Sequence, residues 1–199
     1  MKHFAMLSAA IFLATVIPAQ SWGQISKPPG QTENQDHGNL GVFFDVSRVQ
    51  GFTLFGVGGR MGFNVTRRIV LEAEYAYDFQ RSMTQTVTAG GSTNTITTNL
   101  RMWHVLLGPK MNLTKHFFVL GKAGLADFAV SGPSIPGGVN NQIDGIVNGN
   151  LDTAVFVGGG TEFKIKKISF RADVGDEIIW LNNGAQNNPR ATFGPQLRF

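Results

Sequence analysis

The segment 154–174 constrains the fold most strongly, because apolar residues alternate along it with polar residues or glycine on both sides of a basic turn. A period of two places successive side chains on opposite faces of a β-strand. The apolar parity holds Val155, Val157, Phe163, Ile168, Phe170 and Val174. The segment therefore predicts an antiparallel hairpin with one apolar face and one polar face.

Composition limits the classes of protein that fit this chain. Its 199 residues suit one domain, only 15% of them are charged, and the 25 glycines and 16 phenylalanines favour short strands and an aromatic-rich surface. With no cysteine, disulfides and cysteine-ligated metals are excluded. The net charge of +4 comes from basic residues at turns or singly between apolar ones, so we expect no nucleic-acid partner.

The N-terminal residues have the build of a secretory signal peptide. Lys2 precedes an apolar run at 4–17, which is followed by Pro18 and small residues. That run is shorter than the ~20 residues needed to span a bilayer as a helix. We predict a signal peptide over 1–23, a flexible leader over 24–38 and a single domain over 39–199, exported either as a soluble protein or as a barrel.

The same alternation recurs about eight times along the chain, in segments that supply the roughly 9 to 11 residues of a membrane-spanning strand. Short turns are predicted at 66–68, 114–116 and 165–167, and long polar loops at 80–99, 131–150 and 181–189. The short turns fall at one end of the strands and the long loops at the other. Outer-membrane barrels have this asymmetry, with periplasmic turns and external loops.

Three further signs concern which face lies outside, since alternation alone also fits a soluble sandwich or carrier. One is that the chain stops on an aromatic residue, Phe199, at the end of an alternating strand. Glycines on the polar parity suit a crowded interior: Gly56, Gly58, Gly62, Gly108, Gly124, Gly158 and Gly160. Aromatic residues near strand ends suit an interfacial belt: Tyr75, Tyr77, Phe79, Trp103, Trp180 and Phe199. We therefore predict an all-β, eight-stranded antiparallel up-and-down transmembrane β-barrel.

Three segments, 56–77, 106–126 and 157–176, resemble the small OmpA-like (OmpA/OmpX-type) outer-membrane β-barrels. The final PQLRF is similar to the C-terminal strand signal of that family, which implies that Phe193, Leu197 and Phe199 are shown to the barrel assembly machinery. The resemblance implies residence in the bacterial outer membrane, among its lipids. No peptidoglycan-binding domain follows the barrel, so cell-wall anchoring is not expected.

The polar parity supplies the candidate lumen residues. Their signs are nearly matched, and an eight-stranded barrel is just wide enough for side chains to fill. We predict a paired, hydrogen-bonded plug of structural role, with a gated narrow path for ions as the functional alternative. The set is Arg60, Glu72, Glu74, Lys110, Lys122, Glu162, Arg171, Asp173 and Arg198.

Other chemistry has weaker signals. His104 is an inward histidine, but a hydrolytic triad needs a nucleophile and a carboxylate beside it. Asp144 and Asp152 lie near a Gly- and Asn-rich loop without regular calcium-ligand spacing. We expect no enzyme activity, metal or cofactor, and a structural or surface-interaction role with a possible extracellular ligand at the long loops. The alternatives are a narrow porin and a soluble periplasmic lipid- or ligand-carrying barrel.

Overall fold

The computed structural model describes residues 37–50, 52–89, 92–131 and 149–199, which form a closed antiparallel β-barrel. The strands are β1 (Gly38–Val49), β2 (Phe52–Asn64), β3 (Ile69–Ala89), β4 (Ser92–Asn112), β5 (Phe117–Ser131), β6 (Leu151–Ile165), β7 (Ile168–Leu181) and β8 (Gly184–Arg198). Each strand pairs with its neighbours in sequence, and β8 closes on β1 with Leu40 opposite Leu197. The predicted eight-stranded up-and-down barrel is confirmed.

The predicted signal peptide and most of the leader, residues 1–36, lie outside the described residues. His37 and Gly38 already belong to the barrel end, since both backbone amides donate to the carbonyl of Phe199. No helix among the described residues is long and apolar enough to cross a membrane.

The barrel wall has its apolar side outside and its charges inside. Large apolar side chains on the outer face are about half exposed, such as Phe44 at 56%, Val157 at 57% and Phe163 at 56%. Charged side chains of the other parity are buried, with Glu72 at 0% and Arg171 at 2%. A soluble carrier requires the opposite distribution. The outer face is therefore built to contact hydrocarbon.

The three predicted short turns are confirmed, and each is followed by the next strand at once. Thr66 Oγ1 accepts the amides of Arg68 and Ile69 at 3.2 and 3.0 Å. Thr114 Oγ1 accepts those of His116 and Phe117 at 3.2 and 3.0 Å. Lys166, at the tip of the third turn, has a positive φ of 54°. We call this end of the barrel the short-turn end.

Two of the three predicted long loops are wrong. Residues 80–89 and 92–99 continue β3 and β4, so the barrel carries a two-stranded ribbon instead of a loop. The strong β-propensity of their threonines outweighs their polarity. Residues 181–189 form the end of β7 and the start of β8, joined at Asn182 and Asn183, with Gly184 at a φ of 133°. In the third predicted loop, residues 132–148 lie outside the described residues.

Glycines on the inner face leave space for large side chains that cross the lumen. A Cβ on Gly58 would overlap the ring of Phe43, and one on Gly160 would overlap that of Phe118. The glycine-rich polar parity therefore makes room for phenylalanines that share it.

Candidate functional site

The lumen collects eight of the nine predicted polar residues. Arg60, Glu72, Glu74, Lys110, Lys122, Glu162, Arg171 and Asp173 are all at most 5% exposed. We call these eight the paired network. Arg198 differs, because it is the last residue of β8 and its inward parity brings it only to the mouth of the barrel. It is half-buried there and donates to the carbonyl of Lys166 at 3.4 Å.

Glu72 stands at the centre of the paired network and meets three cations from three other strands. Arg171 Nη1 donates to its Oε1 at 2.6 Å, while Lys110 and Lys122 lie 3.5 and 3.2 Å from its two oxygens. Lys110 also donates to Glu162 at 2.9 Å. Charge-assisted bonds of this kind link β3, β4, β5, β6 and β7 across the lumen.

Asp173 and Glu74 connect Arg60 to the rest of the paired network. Asp173 accepts from Arg60 Nη1 at 3.0 Å and from Arg171 Nε at 2.9 Å. Glu74 accepts from Lys122 and lies 3.9 Å from Arg60 Nη2. The network holds four acidic and four basic side chains, and each acidic side chain has at least one basic partner.

Three inward phenylalanines flank two arginines of the paired network and a third lumen arginine, Arg190 on β8. The guanidinium of Arg60 lies 4.2 Å from the ring centroid of Phe43, and that of Arg171 lies 4.4 Å from that of Phe118. Arg190 lies 5.3 Å from the ring of Phe156. Cation–π contacts of desolvated groups add to the stability of the buried charges.

A second set, the acid-rich cluster, lies farther from the short turns and consists of Asp45, Asp78, His104, Glu177 and Arg190. Arg190 Nε donates to the Asp45 oxygens at 3.0 and 2.8 Å and lies 3.9 Å from Glu177. Arg190 Nη1 also donates to Glu74 at 2.7 Å, which joins the two sets. Arg190 is therefore shared by three carboxyl groups, those of Asp45, Glu177 and Glu74.

His104 and Asp78 have fewer polar contacts than Arg190. His104 is 0% exposed, with Nδ1 3.5 Å from Glu177 Oε1 and Nε2 3.8 Å from Asp45 Oδ2. Asp78 accepts from Ser47 Oγ at 2.9 Å. This hydroxyl of the lumen donates to a carboxylate and not to the histidine, so the described residues do not form a triad around His104.

Sequence reasoning missed most of the acid-rich cluster. Arg190 directly follows residues 181–189, which the sequence predicts to be a loop. It nevertheless shares the inward parity of Thr192 and Gln196. Asp45 and Asp78 stood on the polar parity of their strands and were available as candidates. Glu177 continues the parity of Arg171 and Asp173 along β7, which is the signal that identifies it.

An apolar layer lies beyond the acid-rich cluster, toward the end opposite the short turns. Its inward side chains are contributed by five strands: Val49, Phe52, Leu54, Leu100, Met102, Phe128, Ile179 and Leu181. All are at most 7% exposed. The described lumen is therefore filled by charges in its middle and by hydrocarbon at that end.

Outside the lumen, β3 and β4 continue beyond the eight-stranded wall as a two-stranded ribbon. β2 pairs with β3 as far as Asp78, and β5 pairs with β4 as far as Asn99. Beyond those points the described parts of β3 and β4 pair with each other alone, up to Ala89 opposite Ser92. Ser82 Oγ donates to Asn99 Oδ1 at 2.6 Å on this ribbon. Among the described residues, each of these two strands thus has one backbone edge without a partner strand.

The remaining predicted sites are not part of the paired network. Phe193, Leu197 and Phe199 lie on the outer face and are 55%, 57% and 59% exposed, with Phe193 stacked on Phe44 at 5.2 Å between ring centroids. Asp152 accepts from Asn150 at 3.0 Å, and Asp144 lies outside the described residues. The described residues contain no group of three or more side chains arranged to hold a metal ion.

Solved structures share the fold, whereas no family model and no curated protein matches the chain. Ail of Yersinia pestis, in complex with the heparin analogue sucrose octasulfate, has a TM-score of 0.50 at 16% identity, over 81% of this chain and 96% of that one. The N-terminal β-barrel domain of Pseudomonas aeruginosa OprF gives 0.39 at 14% identity, over 83% and 100%. A de novo designed transmembrane β-barrel gives 0.42 at 13%, over 83% and 98%. The fold is thus that of a small outer-membrane-type barrel, as the OmpA-like resemblance implied.

Proposed function

We propose that this chain is an integral protein of the bacterial outer membrane that presents its β3–β4 ribbon outside the membrane and keeps its lumen closed. The observation that carries the proposal is the inverted wall, apolar outside and ion-paired inside. A wall of this kind is stable only where hydrocarbon surrounds it. The short turns then face the periplasm and the ribbon faces the exterior.

Closure of the lumen follows from its contents. The paired network fixes side chains from opposite walls to one another, and the apolar layer beyond it leaves no continuous polar lining among the described residues. An ion entering that layer would lose its hydration without gaining ligands. The lumen residues therefore act in stability and not in transport or hydrolysis, and His104, which is fully buried, is out of reach of a lipid substrate.

The ribbon is suited to pairing with an extended polypeptide. Sheet edges bind partners by adding a strand, with main-chain hydrogen bonds giving affinity. Residues 82–100 contain no charged side chain and seven threonines. This composition gives little attraction for a sulfated polyanion such as the ligand seen with Ail, so we assign the ribbon a neutral peptide partner.

Membrane residence is tested by fractionation. The expressed protein is expected in the sarkosyl-insoluble envelope fraction, and its mobility on a detergent gel should change on heating, as that of a closed barrel does. Release with the periplasmic contents would contradict the proposal. Protease cleavage within the ribbon on intact cells would show that this end faces outward.

The ribbon's role is tested with a matched deletion. A variant in which 82–99 are replaced by Asn-Gly should keep the heat-modifiable barrel and lose binding to peptides selected on the wild-type protein from an array of uncharged extended peptides. N-methylation of alternate peptide amides should abolish binding, because it removes the edge hydrogen bonds. Equal binding by the deletion variant, or by the methylated peptides, would overturn the assignment.

A further inference from the structure

The short-turn end carries most of the exposed cationic residues of the described barrel. Six of them lie in or beside the three turns, Arg67, Arg68, Lys115, Lys164, Lys166 and Lys167, and the half-buried Arg198 joins them at the end of β8. We call them the basic rim. The acidic side chain next to this rim, Glu162, faces the lumen and is 5% exposed. At the other end, the three exposed cations Arg48, Arg81 and Arg101 are accompanied by the half-buried Asp127 and Asp176, so the net charge of that end is smaller.

Two of the turns are copies of one structure. Residues 64–69 read NVTRRI and residues 112–117 read NLTKHF, an apolar residue, a threonine and two basic residues before the next apolar one. In both, the threonine hydroxyl accepts from the amides two and three residues later, and the amide of Val65 or Leu113 donates across the turn at 3.0 or 2.9 Å. The same local chemistry therefore presents Arg67 and Arg68 in one turn and Lys115 in the equivalent part of the other.

The turns are also tied into a continuous ring. The carbonyl of Arg68 accepts from Asn112 at 2.8 Å, that of His116 from Glu162 at 2.8 Å, and that of Lys167 from Arg198 at 2.8 Å. Each turn is thus bonded through its backbone to the end of the strand beyond the next one, which ties neighbouring turns together. The cations at the tips of the turns are thereby arranged before any partner arrives.

Apolar side chains within the same turns place the rim at a membrane boundary and not in open water. Val65, Leu113 and Ile165 are 64%, 54% and 62% exposed, directly beside the basic residues. Below them on the wall, Phe63, Phe117 and Phe163 are 57%, 60% and 56% exposed. Side chains of this pattern insert the apolar groups into the acyl region and leave the cations among the headgroups.

We propose that the basic rim binds the phosphate groups of anionic phospholipids in the leaflet that adjoins the short turns. Lys and Arg beside an anionic lipid surface are attracted to it, and Arg pairs with phosphate through two parallel N–H donors. A soluble acidic protein would meet the exposed Val65, Leu113 and Ile165 as an uncovered apolar surface, whereas a leaflet buries them. The inference needs the membrane residence of the barrel but not the ribbon's peptide partner.

The test compares lipid retention by matched triple variants. The full chain is folded into vesicles of equal parts phosphatidylglycerol and phosphatidylcholine, extracted in mild detergent, and the retained lipids are counted by native mass spectrometry. Arg68→Gln, Lys115→Gln and Lys167→Gln remove one charge from each turn. Arg48→Gln, Arg81→Gln and Arg101→Gln remove three charges at the opposite end and serve as the control.

Wild type and the control variant should retain phosphatidylglycerol in preference to phosphatidylcholine. The rim variant should lower that ratio at least about fivefold, the factor expected for one cation at an anionic surface. Heat-modifiable mobility of all three proteins shows that each is folded. No preference in wild type, or an equal fall in the control variant, would overturn the proposal. Displacement of the lipid by millimolar glycerol phosphate would mark a free-phosphate site instead and contradict the leaflet assignment.

Discussion

The two charged sets in the lumen differ in how many basic partners stabilise each buried carboxylate. In the paired network, Glu72 has three cationic neighbours, and the count of acids equals that of bases. In the acid-rich cluster, Asp45 and Glu177 depend on Arg190, and neither oxygen of Glu177 accepts a hydrogen bond from the described residues. Redundant pairing makes the first set tolerant of the loss of one cation, whereas the second depends on a single arginine.

Replacing Arg190 should have the largest effect. Arg190→Met leaves Asp45 and Glu177 without their cation and takes one from Glu74, so we expect the free energy of unfolding to fall by ~3–5 kcal/mol. Urea unfolding from phospholipid vesicles, followed by tryptophan fluorescence, measures it. Arg171→Met is the matched comparison and should lose less, because Glu72 keeps both lysines and Asp173 keeps Arg60. Equal losses would show that redundancy does not protect the paired network.

Removing the central acid should be the next largest change. Glu72→Gln preserves the shape of the side chain but weakens its attraction to Arg171, Lys110 and Lys122, and we expect a loss of about 3 kcal/mol in the same urea experiment. A loss smaller than that of Glu162→Gln, whose side chain meets only two lysines, would contradict the central position of Glu72.

The cation–π contacts give a smaller effect. Phe118→Leu removes the ring that Arg171 and Lys110 face at 4.4 and 5.1 Å, whereas Phe128→Leu trims a ring of the apolar layer. Both lose packing, so Phe118→Leu should cost about 1 kcal/mol more than Phe128→Leu. If the two variants unfold at the same urea concentration, the cation–π contacts of Phe118 add no stability beyond the packing of its ring.

Neutralising Glu177 should change stability least. Glu177→Gln removes a buried charge that shares its arginine with Asp45, and we expect a change of less than about 1 kcal/mol, of either sign, in urea unfolding. A loss as large as that of Glu72→Gln would show that the acid-rich cluster is as tightly organised as the paired network.

The parity of the strands made the barrel and much of the lumen predictable. Phe163 outside and Glu162 inside follow from a period of two, and Thr66 and Thr114 mark their turns locally. The ends of strands were harder, because residues 82–99 and 184–190 are polar and their pairing depends on the partner strand. The pairing of Arg60 with Asp173 depends on how far the strands tilt around the barrel, which local pattern does not encode.

Planar-bilayer conductance tests the closed, membrane-spanning barrel most directly. Folded, heat-modifiable wild-type protein inserted into the bilayer should give no regular current steps, and Arg171→Ala should leave that baseline unchanged, because the apolar layer above the network remains in place. Reproducible unit steps in wild type, altered by Glu72→Ala or Arg171→Ala, would contradict closure and make the paired network the gate of a narrow channel.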